Sequence, residues 1–310
     1  MSLNTLPPEL TQEILTYLPI PSLFSYSQTS RRSHVLANSS LRTLGLGIFT
    51  SRINAIISSI DSSPAATTHA VRIVLPKRDT QHVSQIVRHQ NERAARLVEH
   101  HAATIRDLEL SVWELERPLT TTLARMPNLR RLALRLDHPH TRHPRLDKAH
   151  WSASPPGTVW NALDRHPDTA RPVLGRLESL TLERAGITDY QLSRILANNP
   201  RITRLRLAKC RTLTEETFEC LARSPLARSL EHLEFVKSDS EEIDERVLQW
   251  IPHLTALKSL SFHACPHLDS DQIAKLNADV WHIPRVTLPY SADSPLDGGE
   301  VSIEVDPEYK

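Results

Sequence analysis

The chain is poor in the residue types that mark several classes of site. Its three cysteines, Cys210, Cys220 and Cys265, are too few and too scattered for a disulfide framework, and they form no CxxC pair for zinc. No stretch reaches about 18 consecutive apolar residues, and the first residues do not join a basic segment to an apolar core. We therefore expect a soluble protein of a reducing compartment, in the cytoplasm, the nucleus or both.

An excess of either charge is also missing, because 37 Lys and Arg residues face 36 Asp and Glu residues. This balance implies no general attraction to nucleic acid or to an anionic membrane. The sequence contains no Gly-rich phosphate loop, and neither G-x-S-x-G nor H-E-x-x-H occurs in it. We expect no enzymatic activity and no cofactor.

What the chain does have is a repeated strand pattern. Segments of the form apolar-x-x-apolar-x-apolar recur, and the last two apolar residues of each lie on one face of an extended strand. The pattern therefore predicts a series of strands that each bury one face. The segments begin at Ile105, Leu129, Leu177, Ile202, Leu230, Leu257 and Ile283.

Four of these strands are followed, at a nearly constant offset, by an apolar anchor and a helix-capping residue. Five and eight residues after each anchor comes an apolar pair, whose spacing of three predicts one face of a helix. Each strand-turn-helix unit of about 24 to 28 residues is too small to bury its apolar face alone, so neighbouring units must stack. The anchors and caps are Ile187-Thr188, Leu213-Thr214, Ile243-Asp244 and Leu268-Asp269, and the pairs are Leu192 with Ile195, Phe218 with Leu221, Leu248 with Ile251 and Ile273 with Leu276.

The repeated pattern resembles leucine-rich repeats of the cysteine-containing class. Cys210 and Cys265 stand at the cysteine position of two units, and Ala185 and Ser238 stand there in the other two. The resemblance implies an α/β fold, a right-handed solenoid of strands and helices shaped like a horseshoe. We interpret the two cysteines as small packing residues in separate turns, not as a redox pair or a metal site.

The segment "LPPELTQEILTYLP" at residues 6–19 predicts a short amphipathic helix that begins after two prolines. A helix this short is marginal in water alone, so its apolar face must pack against this chain or another one. A second short helix opens with Leu23 and Phe24, and Ser30-Arg31-Arg32 leads into a third.

This arrangement resembles the F-box, which makes residues 1–43 a small three-helix unit. The resemblance implies that a Skp-type adaptor, and through it a cullin, binds to Leu6, Pro7, Pro8, Leu10, Ile14, Leu15, Leu18 and Leu23. The sequence departs from the family at three places: Thr29 replaces a valine or cysteine, Ser33-His34 replaces an aromatic position, and Leu41-Arg42 replaces a Leu-Trp pair. Alternatively, these helices form a cap that covers the first repeat.

The residues that alternate with the buried ones along each strand are expected to line the concave face of the solenoid. They carry charges of both signs, and they lack the continuous basic stripe and the aromatic side chains of a nucleic-acid groove. Mixed charge suits the recognition of a protein surface or a peptide. The candidate target-binding residues are Arg131, Arg135, Glu183, Arg204, Arg206, His232, Glu234 and His263.

The remaining segments divide the chain further. We interpret residues 44–104 as a connector and a divergent first repeat, with a helix at Ile53–Ile60, a strand at 71–75 and a long helix from Val83 to Val98. Repeats occupy residues 105–290 and are interrupted by a Pro- and His-rich insertion at 137–172. An acidic tail at 291–310 carries the strand-like segment 301–305 and either covers the last repeat or hangs free.

The insertion contains residue types that bind metals, including four histidines, which we interpret as a solvated loop because no scaffold fixes them. They are His138, His140, His143 and His150, with Asp137 and Asp147.

Together the two resemblances imply a substrate receptor of a Skp–cullin–F-box ubiquitin ligase. The helices would bind the adaptor, and the repeats would bind a target protein. The alternatives are a stand-alone leucine-rich scaffold whose first helices are only a cap and, more remotely, a metal-dependent activity at the histidines.

Overall fold

The computed structural model describes residues 6–47, 80–112, 114–136, 159–160, 163, 174–236 and 243–289. Within these ranges no helix combines the length and the apolar character that a membrane crossing requires. The described residues form a three-helix unit followed by a parallel β-sheet with helices packed on one side.

The three-helix unit comprises α1 (Pro8–Thr16), α2 (Ile20–Ser27) and α3 (Arg31–Ser40). Prolines occupy the first turns of α1 and α2, where a missing amide donor costs nothing. Both α1 and α2 pack against α3. A small hydrophobic core between the helices consists of Leu15, Leu23, Leu36 and Ala37.

Within the described residues, eight parallel strands form one sheet in which the order in space equals the order in sequence. Seven of them lie where the apolar pattern predicts strands, which confirms that part of the sequence analysis. The first strand lies in the segment interpreted as a connector and was not predicted. The strands are β1 (Thr43–Gly47), β2 (Asp107–Val112), β3 (Arg131–Leu136), β4 (Ser179–Glu183), β5 (Arg204–Ala208), β6 (His232–Val236), β7 (Ser259–Ser261) and β8 (Arg285–Thr287).

The described helices that follow the first strand each connect two consecutive strands of the chain. Together they form a layer that packs on the buried face of the sheet. One large hydrophobic core joins the two layers and is separate from that of the three-helix unit. The helices are α4 (Thr80–His100), α5 (Arg117–Ala124), α6 (Asp189–Asn198), α7 (Glu216–Arg223) and α8 (Ser270–Leu276), with 3-10 segments at Pro225–Arg228 and Glu245–His253 and a π-turn at Asn277–Trp281.

Three capping residues act as the sequence predicts. The Thr188 side chain accepts a hydrogen bond from the Gln191 amide and completes a capping box, and Asp244 and Asp269 cap the segments that follow them. The segment after Asp244, however, is a 3-10 helix and not an α-helix, and Pro252 lies inside it. Proline lacks the amide donor that an α-helical turn needs, and a spacing of three suits a 3-10 helix equally well.

The turn after a strand has the same backbone geometry in three units. Arg184, Lys209 and Ala264 all adopt left-handed φ angles of 53 to 56°, which is uncommon for residues with a β-carbon. The next residue in each unit is Ala185, Cys210 or Cys265. These side chains are at most 4% exposed, which confirms their interpretation as small packing residues.

Buried polar side chains link neighbouring units on the helical side. Asp189, at the start of α6, accepts hydrogen bonds from the Thr214 amide at 3.0 Å, the Thr214 hydroxyl at 3.1 Å and the Thr217 hydroxyl. Asn91 of α4 donates to the carbonyl of Glu114 at 2.9 Å and accepts from the Glu116 amide at 2.9 Å. Each link fixes the position of one helix relative to the next unit.

Several predictions from the sequence lie outside the described residues. They are the helix at Ile53–Ile60, the strand at 71–75, the histidines and most of the rest of the insertion at 137–172, and the tail at 291–310 with its strand-like segment.

Candidate functional site

The first helix presents an apolar patch to solvent. Leu10 is 55% exposed, Ile14 is 40% exposed and Tyr17, at the end of the helix, is 78% exposed. Their spacing of four and three residues places them on one face of α1. We call Leu10, Ile14 and Tyr17 the apolar patch. Leucine and isoleucine side chains exposed side by side are available for contact with another molecule.

The eight residues predicted to contact an adaptor divide into two groups. Leu15 and Leu23 are 0% and 8% exposed because they fill the core between the three helices. A side chain that is buried in this way supports the helices and cannot contact a partner while they stay packed. Leu6 and Leu18 are half-buried, and Pro7, Pro8, Leu10 and Ile14 are exposed.

The apolar stripe that the sequence predicts on α1 is therefore not one surface. Leu15 points inward, because α3 packs on that side of α1 and the Ser40 hydroxyl comes within 3.5 Å of the Gln12 carbonyl. Tyr17 and Val35, which is 66% exposed on α3, are exposed apolar residues that the sequence analysis did not select. The sequence does not show that these two residues are exposed, since the packing of α1 and α3 against each other decides which side of each helix is free.

Thr29 and Ser33, two of the positions at which the sequence departs from the F-box pattern, form a cluster of hydroxyl groups with Ser30. The Thr29 hydroxyl donates to the Ser33 hydroxyl at 2.9 Å, and the Ser30 side chain accepts from the Ser33 amide at 3.0 Å. Ser33 is only 1% exposed. Local hydrogen bonds thus begin α3 and hold its first turn, and Ser33 does so near a position where the family pattern has an aromatic side chain.

The eight predicted target-binding residues lie at one surface, the exposed side of the sheet. Residues paired across neighbouring strands form rows: Arg131, Ser179, Arg204, His232, Ser259 and Arg285 share the first row, and Ala133, Thr181, Arg206, Glu234 and Ser261 share the second. Arg135 and Glu183 are paired in the third row. His263 lies two residues beyond the end of β7. We call this surface the strand-exposed face.

Most charges on this face are matched by a neighbouring strand. Arg135 lies 3.7 Å from Glu183, and Arg206 lies 3.2 Å from Glu234. Arg131 lies 3.6 Å from Asp107 of β2. Because these pairs join strands, the second and third rows carry little net charge.

His232 lies in the first row between positively charged neighbours. Burial lowers the pKa of this imidazole, and the charges of Arg204, Lys258 and Arg285 lower it further against the opposing charge of Glu231. The ring is therefore held in its neutral form near physiological pH. It can accept or donate a hydrogen bond there.

The described residues offer few groups for other chemistry, and the histidines of the insertion lie outside them. Burial raises the pKa of the Cys210 thiol to about 12, so this cysteine is not a nucleophile at neutral pH. Within the described residues, no group of three or more His, Cys, Asp or Glu side chains could hold a metal ion.

Residues 3–43 match the F-box-like family. No curated protein matches the chain. F-box domains generally bind Skp-type adaptors, so the match suggests an adaptor-binding role in a ubiquitin ligase for the three-helix unit. The matched residues include the whole apolar patch.

Proposed function

We propose that this chain is the substrate receptor of a Skp–cullin–F-box ubiquitin ligase, with the strand-exposed face as the surface that binds the target. The observation that carries the proposal is the F-box-like match at residues 3–43 together with the exposure of Leu10 and Ile14 in that unit. The cullin and the target enter through the family resemblance.

The assignment of the remaining chain to leucine-rich repeats is part of this proposal. Its support is the consecutive order of parallel strands, the repeated left-handed residue before a small buried side chain, and the capping residues at constant offsets. Stacked units of this kind offer a long surface for binding and need no catalytic group.

In this proposal the chain is non-catalytic and acts in the cytoplasm or the nucleus. The three-helix unit would hold the adaptor while the sheet holds a target, which raises the effective concentration of that target near the ubiquitin-transferring enzyme. Ubiquitin transfer itself would occur on other subunits.

The alternative in which the three helices only cap the repeats requires Leu10 and Ile14 to pack against the first unit of the sheet. In the structure both side chains are exposed, and the helices have their own hydrophobic core. These observations favour an external partner for α1.

The contribution of the apolar patch to adaptor binding can be estimated from its exposed fraction. Leu10 and Ile14 are 55% and 40% exposed, and full burial of such a side chain contributes about 1.5 to 3 kcal/mol. Covering both would contribute roughly 1.5 to 3 kcal/mol, since only the exposed half of each is still available. Aspartates at these positions would add a desolvation cost to that loss.

The test is co-elution of the purified full chain with a Skp-type adaptor. We expect wild-type protein to form a complex, and the Leu10→Asp, Ile14→Asp double variant to bind at least about a hundredfold more weakly with an unchanged circular dichroism spectrum. The matched control is Tyr190→Asp, Val280→Asp, which changes two residues that are 64% and 51% exposed outside the three-helix unit, and it should bind normally.

Two results would refute the proposal. One is a wild-type chain that does not bind the adaptor at micromolar concentrations. The other is a double variant that loses its helical structure along with binding, since that outcome would mean that Leu10 and Ile14 belong to the private packing of the chain.

A further inference from the structure

A row of polar and basic side chains crosses four neighbouring strands at the end of the sheet where the strands begin. The pairing of β5 to β8 places Arg204, His232, Ser259 and Arg285 directly side by side. We call these four residues the entry row. Adjacent strands lie about 4.8 Å apart, so the row is roughly 14 Å long from end to end. Both arginines can therefore reach a group that lies above the two central residues.

The acidic residues near this end of the strands form ion pairs with other cations. The pKa of Glu231 is lowered first by its hydrogen bond from Lys258 and to a smaller extent by the nearby charge of Arg204. Glu231 accepts a hydrogen bond from the Lys258 ammonium group at 2.6 Å, and Glu178 lies 3.3 Å from Arg130. Asp107 forms the ion pair with Arg131 described above.

The two arginines of the entry row differ from these paired cations. Both are exposed, and no described carboxylate forms an ion pair within 4 Å of Arg204 or Arg285. In the second row, by contrast, Arg206 is matched by Glu234 at 3.2 Å. Within strands β5 to β8, the arginines of the strand-exposed face that form no ion pair with a described carboxylate are thus the two of the entry row.

The central residues complement the two guanidinium groups. Ser259 supplies a hydroxyl that is half-buried, and His232 supplies an imidazole that is also half-buried. Burial is the largest cause of the lowered pKa of His232, and the positive potential of Arg204, Lys258 and Arg285 at this point of the surface lowers it further against the opposing charge of Glu231. A bound anion would relieve that potential and would receive hydrogen bonds from guanidinium forks on both sides.

We propose that the entry row binds a negatively charged side chain of a protein target, a phosphorylated residue or a cluster of carboxylates. This inference rests on the proposed function in that it takes the strand-exposed face as the target-binding surface. A peptide that lies across the strands would place one anionic group above His232 and Ser259. The neutral second row would contact the rest of the peptide.

Nucleic acid fits this surface less well than a protein segment does. Binding of a single strand uses a continuous basic groove and aromatic side chains on which bases stack. The paired residues of β2 to β8 on the strand-exposed face include no Phe, Tyr or Trp, and the second row is neutralised by the Arg206–Glu234 pair. One isolated basic row suits one or two anionic groups.

The first experiment uses inorganic phosphate as the probe. The full chain is isotopically labelled at its histidine rings and titrated with phosphate, and chloride keeps the ionic strength constant. NMR detects the histidine signals, and the His232→Gln variant identifies the signal of His232. We expect a saturable shift of the His232 resonance and a rise of its pKa. The Arg204→Gln, Arg285→Gln variant should bind phosphate about tenfold more weakly or worse.

The matched control is Arg125→Gln, which removes an exposed arginine at the end of α5 that lies 3.9 Å from Glu99 and outside the strand-exposed face. It should leave phosphate binding within about twofold of the wild type. An adventitious ion only, seen as a response that does not saturate or that falls equally in the control, would overturn the proposal.

The second experiment identifies the source of the anion. Three immobilised pools of degenerate eleven-residue peptides carry phosphoserine, glutamate or alanine at the centre. Retention of the phosphoserine pool alone assigns a phosphorylated target, and equal retention of the glutamate pool assigns an acidic one. The inference would be refuted if neither the phosphoserine pool nor the glutamate pool were retained better than the alanine pool. It would also be refuted if a mixed-sequence single-stranded RNA bound more tightly than the peptides through the same arginines.

Adaptor binding is measured on the same variants, so that the two proposals can fail separately. Suppose that the wild type and the Arg204→Gln, Arg285→Gln variant both bind the adaptor, but the wild type binds neither phosphate nor the anionic peptides. The further inference is then wrong, and the proposed receptor role still stands. If the entry row binds the phosphoserine or glutamate pool but the wild type does not bind the adaptor, the anion site holds and the ligase role is lost.

Discussion

The three-helix unit and the sheet region use apolar residues in opposite ways. The unit buries four hydrophobic residues in a core of its own and leaves Leu10, Ile14, Tyr17 and Val35 exposed. The sheet region buries an extended apolar core and exposes charged rows along its strands. A region with a large core can be stable with a polar surface, whereas a unit of three short helices gains from burying its exposed residues against a partner.

The largest effect on stability is expected in the core of the sheet region. Phe218 is 0% exposed and stacks on Phe235 with ring centroids 4.4 Å apart. We expect Phe218→Ala to lower the free energy of unfolding by about 3 to 5 kcal/mol, because it leaves a cavity between two layers. Urea unfolding followed by tryptophan fluorescence measures the change.

The control for this variant is Val280→Ala, at a residue that is 51% exposed. It should change the free energy of unfolding by less than about 0.5 kcal/mol. A loss below about 1 kcal/mol for Phe218→Ala would mean that the two layers are not packed as described.

The next effect separates the two regions. Leu15 is 0% exposed in the core of the three-helix unit, so Leu15→Ala should destabilise that unit by about 2 to 4 kcal/mol. All five tryptophans come after residue 112, and their fluorescence therefore reports only on the rest of the chain. We expect the variant to lose helical circular dichroism at lower urea while the tryptophan transition stays in place.

Leu10→Ala is the matched control on the same helix, since Leu10 is 55% exposed. It should leave both transitions within about 0.5 kcal/mol of the wild type. If Leu15→Ala shifts both probes equally, the two regions unfold together and the contrast between them applies only to their surfaces.

A smaller effect tests how stacked units are joined. Asp189→Ala removes the acceptor for the Thr214 amide and for two hydroxyl groups, and Thr217 is only 2% exposed. Loss of hydrogen bonds to a buried carboxylate should cost about 2 to 3 kcal/mol. Asp279→Ala, at an exposed position in the π-turn, is the control that should be neutral. A neutral result for Asp189 in thermal or urea unfolding would show that apolar packing alone joins these units.

Lowering the pH should destabilise the fold near His101, where the three-helix unit and the sheet region approach each other. His101 is 6% exposed, and burial, His100 and His34 of α3 together lower its pKa from 6.5 to about 4. Between these two values the unfolded chain binds a proton that the folded chain does not, so stability falls as the pH falls and is restored above pH 6.5.

We expect the free energy of unfolding to decrease by about 1 to 2 kcal/mol between pH 7 and pH 5 because of this residue. His101→Gln should remove that part of the pH dependence. A wild type and a variant with equal pH slopes would contradict the assignment.

The sequence predicted the strands better than the surfaces. The spacing of Leu180 and Leu182, and of their counterparts in other units, identifies strands because a period of two with one buried face is typical of a half-buried strand. The strand β1 was missed although Leu41, Leu44 and Leu46 fit the same apolar spacing, because Leu44 and Leu46 are each followed by a glycine, which usually marks a turn. Thr188, Asp244 and Asp269 were predictable as caps because capping is a local interaction.

The division of the α1 stripe could not be predicted, because Leu10 and Leu15 both satisfy the helical period. Only the packing of α3 decides that Leu15 is internal. The same holds for the strand-exposed face, where the sequence shows the charges but not their pairing. Arg206 meets Glu234 across a gap of 28 residues, and this pairing depends on the register of two strands that the helical layer positions.

The smallest effect concerns these pairings and completes the contrast between the two regions. Arg206 and Glu234 are 31% and 40% exposed at their side chains, so a double-mutant cycle with Arg206→Gln and Glu234→Gln should give a coupling energy below about 1 kcal/mol. The coupling should shrink further in about 0.5 M salt, because exposed charges are screened. If the coupling instead exceeds about 2 kcal/mol, the charged rows hold the sheet together, and its exposed face would be less available to a partner than the apolar patch of α1.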